Sequence, residues 1–268
     1  MGAFFADLFR EAKIPCEIIE VDTDAARRQQ LLNQARAVIV SVPIASTAAC
    51  INELIPVLHP EALLADLTSV KQAPLEAMMK HSGEVLALHP MFGPGKNGIK
   101  GQTVAVCGGR LDSRAEALLQ FLREAGAVLH ELTASRHDQL MAVVQGMNHF
   151  HSIAFAHALG ELGIPVQETI DVASPVYLLR MQLMGRILAQ DAGLYADILL
   201  QNPSVPAALN AFAGSCAEFM QAISSGSREQ CVEFFERAAR SFGSYCEIAL
   251  EESDEILGML QSESRNSR

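Results

Sequence analysis

Hydrophobic and polar positions follow two different patterns along this 268-residue chain, with the change near residue 134. Before it, short apolar runs alternate with amphipathic stretches. A helix is predicted over Gly2–Ala12, where Phe4, Phe5, Leu8 and Phe9 oppose Asp7, Arg10 and Glu11. A strand at Cys16–Val21 and a polar helix at Ala25–Gln34 follow. The run Ala37–Val42 is almost wholly apolar and β-branched and is closed by Pro43, as in strands buried on both faces of a parallel sheet. The alternation continues as helix Thr47–Leu54, strand Leu63–Leu67, helix Lys71–Lys80, strands Val85–Leu88 and Thr103–Cys107, helix Ser113–Ala125 and strand Val128–Leu132. This grammar predicts an α/β domain built on a doubly wound parallel sheet.

From about Ser135 no strand pattern recurs. His137–Leu162 reads as one long helix, apolar on most faces, which suits a bundle or a subunit interface. Further helices are predicted over Pro175–Ala189, where Ser174 is a cap and Pro175 opens the first turn, and over Leu194–Leu200, Val205–Ser224 and Arg228–Gln261. The polar tail from Ser262 is expected to fray. Two domains are expected: residues 1–134, α/β, and residues 135–268, all-helical.

Composition narrows the functional classes. Half of the residues are hydrophobic and the formal net charge is −11, which argues against nucleic acid or an anionic membrane as partner, since both need a basic face. The six cysteines are dispersed, with no C-x-x-C and no histidine at zinc-ligand spacing, so no metal is expected; they read as free thiols, mostly filling the core. No targeting segment is recognisable, and the longest apolar run, Ala37–Cys50, is too short and too interrupted to span a bilayer, so a cytoplasmic location is expected.

Two stretches carry candidate chemistry. In L-A-L-H-P-M-F-G-P (Leu86–Pro94), His89 stands where the chain leaves a strand, before a proline that is expected to bar regular pairing; a titratable group at a strand exit of an open sheet faces the place where ligands bind. The second stretch is the N-terminus. A dinucleotide fold opens with a strand, a G-x-G-x-x-G turn and a helix that receives the pyrophosphate. This sequence starts inside that unit, with Gly2 in the place of the third glycine and Glu20 near the distance of the ribose-binding carboxylate. The first strand and first two glycines are missing, so the reading is a Rossmann-type domain truncated at its N-terminus. Ser41, Val42 and Pro43 close a buried strand beside the expected nicotinamide position. An acid at Glu20 favours NAD over NADP, a preference tempered by Arg27 and Arg28.

Six motifs in order then bring a resemblance: V-I-V-S-V-P-I (Val38–Ile44), D-L-T-S-V-K (Asp66–Lys71), L-H-P-M-F-G-P (Leu88–Pro94), H-D-Q-L-M-A (His137–Ala142), S-P-V-Y (Ser174–Tyr177), and M-G-R-I-L-A-Q-D with L-Y-A-D-I (Met184–Asp191, Leu194–Ile198). Together they resemble the prephenate dehydrogenase family, most closely the dehydrogenase half of the bifunctional chorismate mutase/prephenate dehydrogenases. The resemblance implies NAD-dependent oxidative decarboxylation of prephenate to 4-hydroxyphenylpyruvate, on the way to tyrosine, by a homodimer joined through its helical domain. It implies that His89 is the catalytic histidine, that Ser69 orients it, that Arg186 grips a substrate carboxylate and that His149 lies near the substrate. Arg180 is a weaker candidate: six residues from Arg186 is about 240° around a helix, so the two cannot point the same way. Where related sequences place an arginine just after the tyrosine of S-P-x-Y, this chain has Leu178. His149 and His151 fall about 200° apart, which does not suit a shared metal. His137-Asp138 is expected to cap the long helix. Alternatives are an arogenate or cyclohexadienyl dehydrogenase, or a catalytically impaired, truncated homodimeric fragment.

Overall fold

The computed structural model describes residues 1–95 and 98–266, with side chains to residue 260. Helices α1 (Gly2–Glu11) and α2 (Ala25–Gln34) precede strand β1 (Ala37–Val40); then come α3 (Thr47–Leu54), β2 (Leu63–Asp66), α4 (Gln72–Met78), β3 (Val85–Pro90), β4 (Thr103–Arg110), α5 (Ser113–Glu124) and β5 (Val128–Glu131). The rest is helical: α6 (Ala134–Met141), π-helical turns over Ala142–Met147, α7 (Asn148–Glu161), α8 (Val166–Asp171), α9 (Pro175–Leu188), α10 (Ala192–Gln201), α11 (Val205–Ser224), α12 (Arg228–Phe242) and α13 (Tyr245–Asn266). Among the described residues no helix is long and apolar enough to cross a membrane.

The chain forms two compact units. The first is Met1–Gln145 together with the returning segment Gly193–Val205; the second is Gly146–Ala192 and the chain from Pro206 onward. In the first, the strands stand in the order β1-β2-β3-β4-β5. Alternate residues feed two cores. Leu63, Ala65, Leu86 and Leu88 join Phe5 and the α5 leucines on one face. Leu64, Val85 and Ala87 join Leu32, Ile51 and Met78 on the other. Each leucine buried this way contributes about 1.5–3 kcal/mol, which is why a sheet covered on both faces dominates the unit.

Several features depart from the pattern-based expectation. The sheet is not wholly parallel: β4 runs antiparallel to β3, while the other three pairings are parallel. No helix is found among the described residues between β3 and β4, and a parallel return needs such a crossover. The segment Cys16–Val21 is largely exposed and pairs with no strand among the described residues, where the sheet ends at β1. His89 and Pro90 lie within β3, opposite Ala105 and Val104. Pro90 is tolerated because its position exchanges no N–H bonds: the ladder resumes with Met91 N–H on the Thr103 carbonyl, so the missing donor is never called on. The long apolar helix is interrupted by the π-helical turns, the last one breaks at Gly243, and a short helix, α8, stands where the pattern predicts none. Helix α13 continues to Asn266, past the expected start of fraying; residues 267–268 lie outside the described residues. All six cysteines are free; Cys107 is buried in the core and Cys50 packs half-buried against it, whereas Cys216 and Cys246 are exposed, so the cysteines are not mostly core fillers.

The β3–β4 pair also carries a bulge near Leu86–Leu88. It depends on Gly109, whose φ is +140° and at which an added Cβ would fall 2.0 Å from the Val85 carbonyl oxygen. Gly109→Ala is therefore expected to lower stability by at least about 1–3 kcal/mol, the cost of a forbidden backbone region before any clash is counted. A shift in the denaturant midpoint smaller than that would contradict the stated geometry. Next to this bulge, Glu84 secures the start of α5 by accepting main-chain N–H bonds from Asp112, Arg114 and Ala115. Burial alone would raise its carboxyl; these bonds and the Arg114 guanidinium hold it below its ordinary value.

Candidate active site

Strands β1, β2 and β3 are parallel, so their carboxyl ends emerge at one edge of the sheet. In open α/β sheets ligands bind there. The edge carries Ser41-Val42-Pro43 after β1, Thr68-Ser69 after β2, and His89 at the end of β3. Ser41 and Pro43 are exposed, while Val42 and Ser69 are half-buried.

His89 is only 3% exposed, and its Nδ1 lies 2.8 Å from Nε2 of His137, which is fully buried. The rings meet edge to face at 68°. His137 Nδ1 in turn lies 2.8 Å from Asp138 Oδ1. Asp138 is anchored at the start of α4, accepting Lys71 N–H on Oδ1 at 2.8 Å and Gln72 N–H on Oδ2 at 3.0 Å. Helix α6, which carries His137 and Asp138, is capped by Thr133, whose hydroxyl accepts Arg136 N–H. The returning segment adds a brace: Asn202 Nδ2 donates to the Asp138 carbonyl at 2.8 Å.

A buried ion pair lies behind this chain. Lys71 Nζ donates to Asp66 Oδ2 and to the Leu88 carbonyl, each at 2.6 Å, and neither side chain is exposed. Thr68 N–H also binds Asp66 Oδ2. Burial raises the Asp66 carboxyl against the opposing pull of the Lys71 ammonium. His89 is displaced well below the ordinary histidine value, first by burial and further by the Lys71 charge, so it is a neutral acceptor near pH 7. Burial pushes the neighbouring Cys107 thiol up to about 12, which keeps it protonated and inert.

The residues expected to hold a dinucleotide fit that role in part. Gly2 opens α1, and an added Cβ would lie 3.2 Å from Ser41 Cβ, so the helix start sits against the end of β1 as a third fingerprint glycine must. Glu20 is exposed. Arg28 is occupied with the Val21 carbonyl at 2.9 Å, and Arg27 faces Glu17 at 3.8 Å.

The other candidates belong to the second unit. Arg180 and Arg186 are both on α9 and both exposed. Arg180 donates to His151 and lies 5.2 Å over the Phe155 ring; burial, and then the Arg180 charge, lower the His151 value. Arg186 has no ion pair among the described residues and is in the last turn of the helix. His149 is half-buried on α7, and burial lowers its value. The π-helical turns Ala142–Met147 fall in sequence between His137 and His149; such turns are frequent near functional sites.

Residues 10–110 match the family model for the nucleotide-binding domain of prephenate dehydrogenase, and residues 133–237 match that for its dimerization domain. The T-protein of Haemophilus influenzae is 36% identical over 258 residues, which are 96% of this chain and 68% of that protein. The chain belongs to the prephenate dehydrogenase family. A probable arogenate/prephenate dehydrogenase of Methanocaldococcus jannaschii is 32% identical over 259 residues, 94% of this chain. The chain spans 57% of that protein's length, so it represents only part of some prephenate dehydrogenase family members. A crystal structure of prephenate dehydrogenase from Aquifex aeolicus, in complex with hydroxyphenyl propionate and NAD+, shares the fold at a TM-score of 0.72 and 19% identity, over 90% of this chain and 93% of that one.

Within this prephenate dehydrogenase family chain, the expectation that His137-Asp138 caps a helix is overturned, because Thr133 is the cap and His137 is turned into the core against His89. The signal was present: His137 and Met141 are one helical turn apart, and a histidine on an apolar face needs a polar partner. Ser69 makes no hydrogen bond to His89 among the described residues; the Nδ1 partner is His137.

Proposed function

We propose that this chain oxidises and decarboxylates prephenate to 4-hydroxyphenylpyruvate with NAD, a step toward tyrosine, and that it works as a homodimer in the cytoplasm. The observation that carries this reading is His89, a buried and neutral histidine held at the carboxyl end of β3 within L-H-P-M-F-G-P. His89 accepts the proton of the ring hydroxyl, as a positioned base matched to neutral pH can. Ser69, in the adjacent loop, orients the substrate hydroxyl. NAD, when bound, supplies the acceptor for the hydride that leaves the hydroxyl-bearing carbon. Gly2, Glu20, Ser41, Val42 and Pro43 hold it, and the engagement of Arg27 and Arg28 elsewhere supports NAD rather than NADP. Loss of carbon dioxide is driven by aromatisation, so the protein mainly orients groups and balances charge. Arg186, always charged and free of described ion pairs, holds a substrate carboxylate. His149 is a polar contact to the substrate. Arg180 is a weaker anion contact because His151 and Phe155 already engage it.

A second reading, arogenate as substrate, is supported by the relative from Methanocaldococcus jannaschii, described as a probable arogenate/prephenate dehydrogenase. The test is the rate of NAD reduction with prephenate and with arogenate in parallel. Turnover of prephenate supports the first reading, and turnover of arogenate alone supports the second. Activity on neither substrate overturns both readings.

The acid side of the pH profile follows from the direction of the His89 shift. Because its folded value lies well below 6.5, kcat/KM is expected to hold its neutral-pH level down through pH 6.5 and to fall only below it. An acid limb beginning above 6.5 would show that His89 is not the titrating base. Stability carries the same sign: the unfolded chain takes up the His89 proton first, so folding weakens as pH drops from 6.5 toward the folded value.

A further inference from the structure

The hydrogen bonds leading to His89 have a direction, and Asp138 sets it. Both of its oxygens already accept main-chain N–H groups from Lys71 and Gln72, so it stands as an acceptor toward His137 as well. The His137 proton then sits on Nδ1. Holding that single proton, His137 offers only a lone pair at Nε2, and the 2.8 Å approach of His89 Nδ1 is a hydrogen bond only if His89 Nδ1 carries the proton. That leaves His89 Nε2 bare. A histidine free in water favours the opposite tautomer, with the proton on Nε2, which could not accept from a substrate hydroxyl through that nitrogen.

We propose that His137, oriented by Asp138, is a positioning residue that locks His89 in its Nδ1–H tautomer and so presents Nε2 as the proton acceptor. This rests on His89 being the base of the proposed reaction. The logic is that of a histidine held by a carboxylate, lengthened by one imidazole. The groups around the pair are consistent with it. Lys71 Nζ is taken by Asp66 and by the Leu88 carbonyl, the Cys107 thiol stays neutral, and Asn202 and Thr133 fix the backbone that carries Asp138 and His137.

The test reads the tautomer directly. In the 15N-histidine-labelled chain, long-range proton–nitrogen NMR distinguishes Nδ1–H from Nε2–H, and the His89 signal is assigned by its loss in His89→Asn. The expected result is Nδ1–H in the unaltered chain and a shift toward Nε2–H in His137→Leu. With prephenate, His137→Leu is expected to lower kcat by about 10- to 100-fold, part of the roughly 10²–10⁴ that a positioned base contributes, with little change in KM. His137→Gln, whose amide oxygen can accept from His89 while its NH2 donates to Asp138, is expected to recover the Nδ1–H signal and most of kcat. An Nε2–H signal in the unaltered chain, or one unmoved by His137→Leu, would overturn the proposal. The NMR signal needs no turnover, so a chain inactive on prephenate that still shows the tautomer switch would sink the reading of its reaction and uphold the lock.

Discussion

Changing Lys71 to methionine is expected to destabilise the first unit by about 3–5 kcal/mol, the usual result of breaking a buried ion pair from one side. Methionine replaces the aliphatic stem but not the ammonium, so Asp66 Oδ2 keeps only Thr68 N–H, and the Leu88 carbonyl loses its donor. Asp66 Oδ1 already has no hydrogen-bond partner among the described residues, which leaves the carboxylate little compensation. Chemical denaturation is the measurement. The double change Asp66→Asn with Lys71→Met is expected to recover the larger part of the loss, since an amide still accepts from Thr68 and carries no charge. The deficit of the single variant also shrinks on acidification. With the ammonium gone, the folded Asp66 value rises further above the unfolded one, so protonation stabilises the fold and that gain is lost as pH rises. A single variant within 1 kcal/mol of the unaltered chain by roughly the same scale would mean that the pair is not buried as described.

His89→Asn is expected to lower kcat on prephenate by roughly 10²–10⁴ while leaving KM and the melting transition nearly unchanged. The asparagine amide reaches about as far as the histidine Nδ1 and can donate to His137 Nε2, so the buried contact survives while Nε2 is removed. Steady-state kinetics with a parallel thermal melt separates the outcomes. A large loss of stability would assign His89 to the core, and an unchanged kcat would remove it from the chemistry.

The sequence pattern made the covered sheet legible because strands buried on both faces are continuous apolar runs, as Leu63–Ala65 and Val85–Leu88 show, while the β-branched run Val38–Val40 proves to be a half-buried edge strand, and because His89 stands in a specific motif. Strand direction is a different matter. The apolar pattern of Thr103–Cys107 is the same whichever way the strand runs, and only the lack of a crossover helix before it signals the antiparallel β4. Cys16–Val21 shows the limit in the other direction: its alternation is strand-like, but a ladder needs a neighbour, and a propensity cannot supply one. The role of His137 is not legible in the sequence because its place next to an acid also suits a helix start, whereas its partner is 48 residues away in sequence. Lys71 escaped for the same reason that lysines usually do: its charge suggests solvent, and its burial follows only from Asp66 five residues earlier on the facing strand.

The returning segment Gly193–Val205 has a consequence for how the molecule is made. The first unit is finished only when residues far along the chain come back to it: Asn202 closes on Asp138 across 64 residues, and Asp197 approaches Ala45 N–H across 152. Contacts of such long range slow folding, because the intervening chain must be closed into a loop before they are rewarded. During synthesis the sheet can collapse early, yet the turn that carries Asp138 stays unbraced until most of the helical region has left the ribosome. Cutting the chain at the apparent end of the α/β pattern would therefore give a sheet without its last support, because the first unit is assembled from two stretches of sequence.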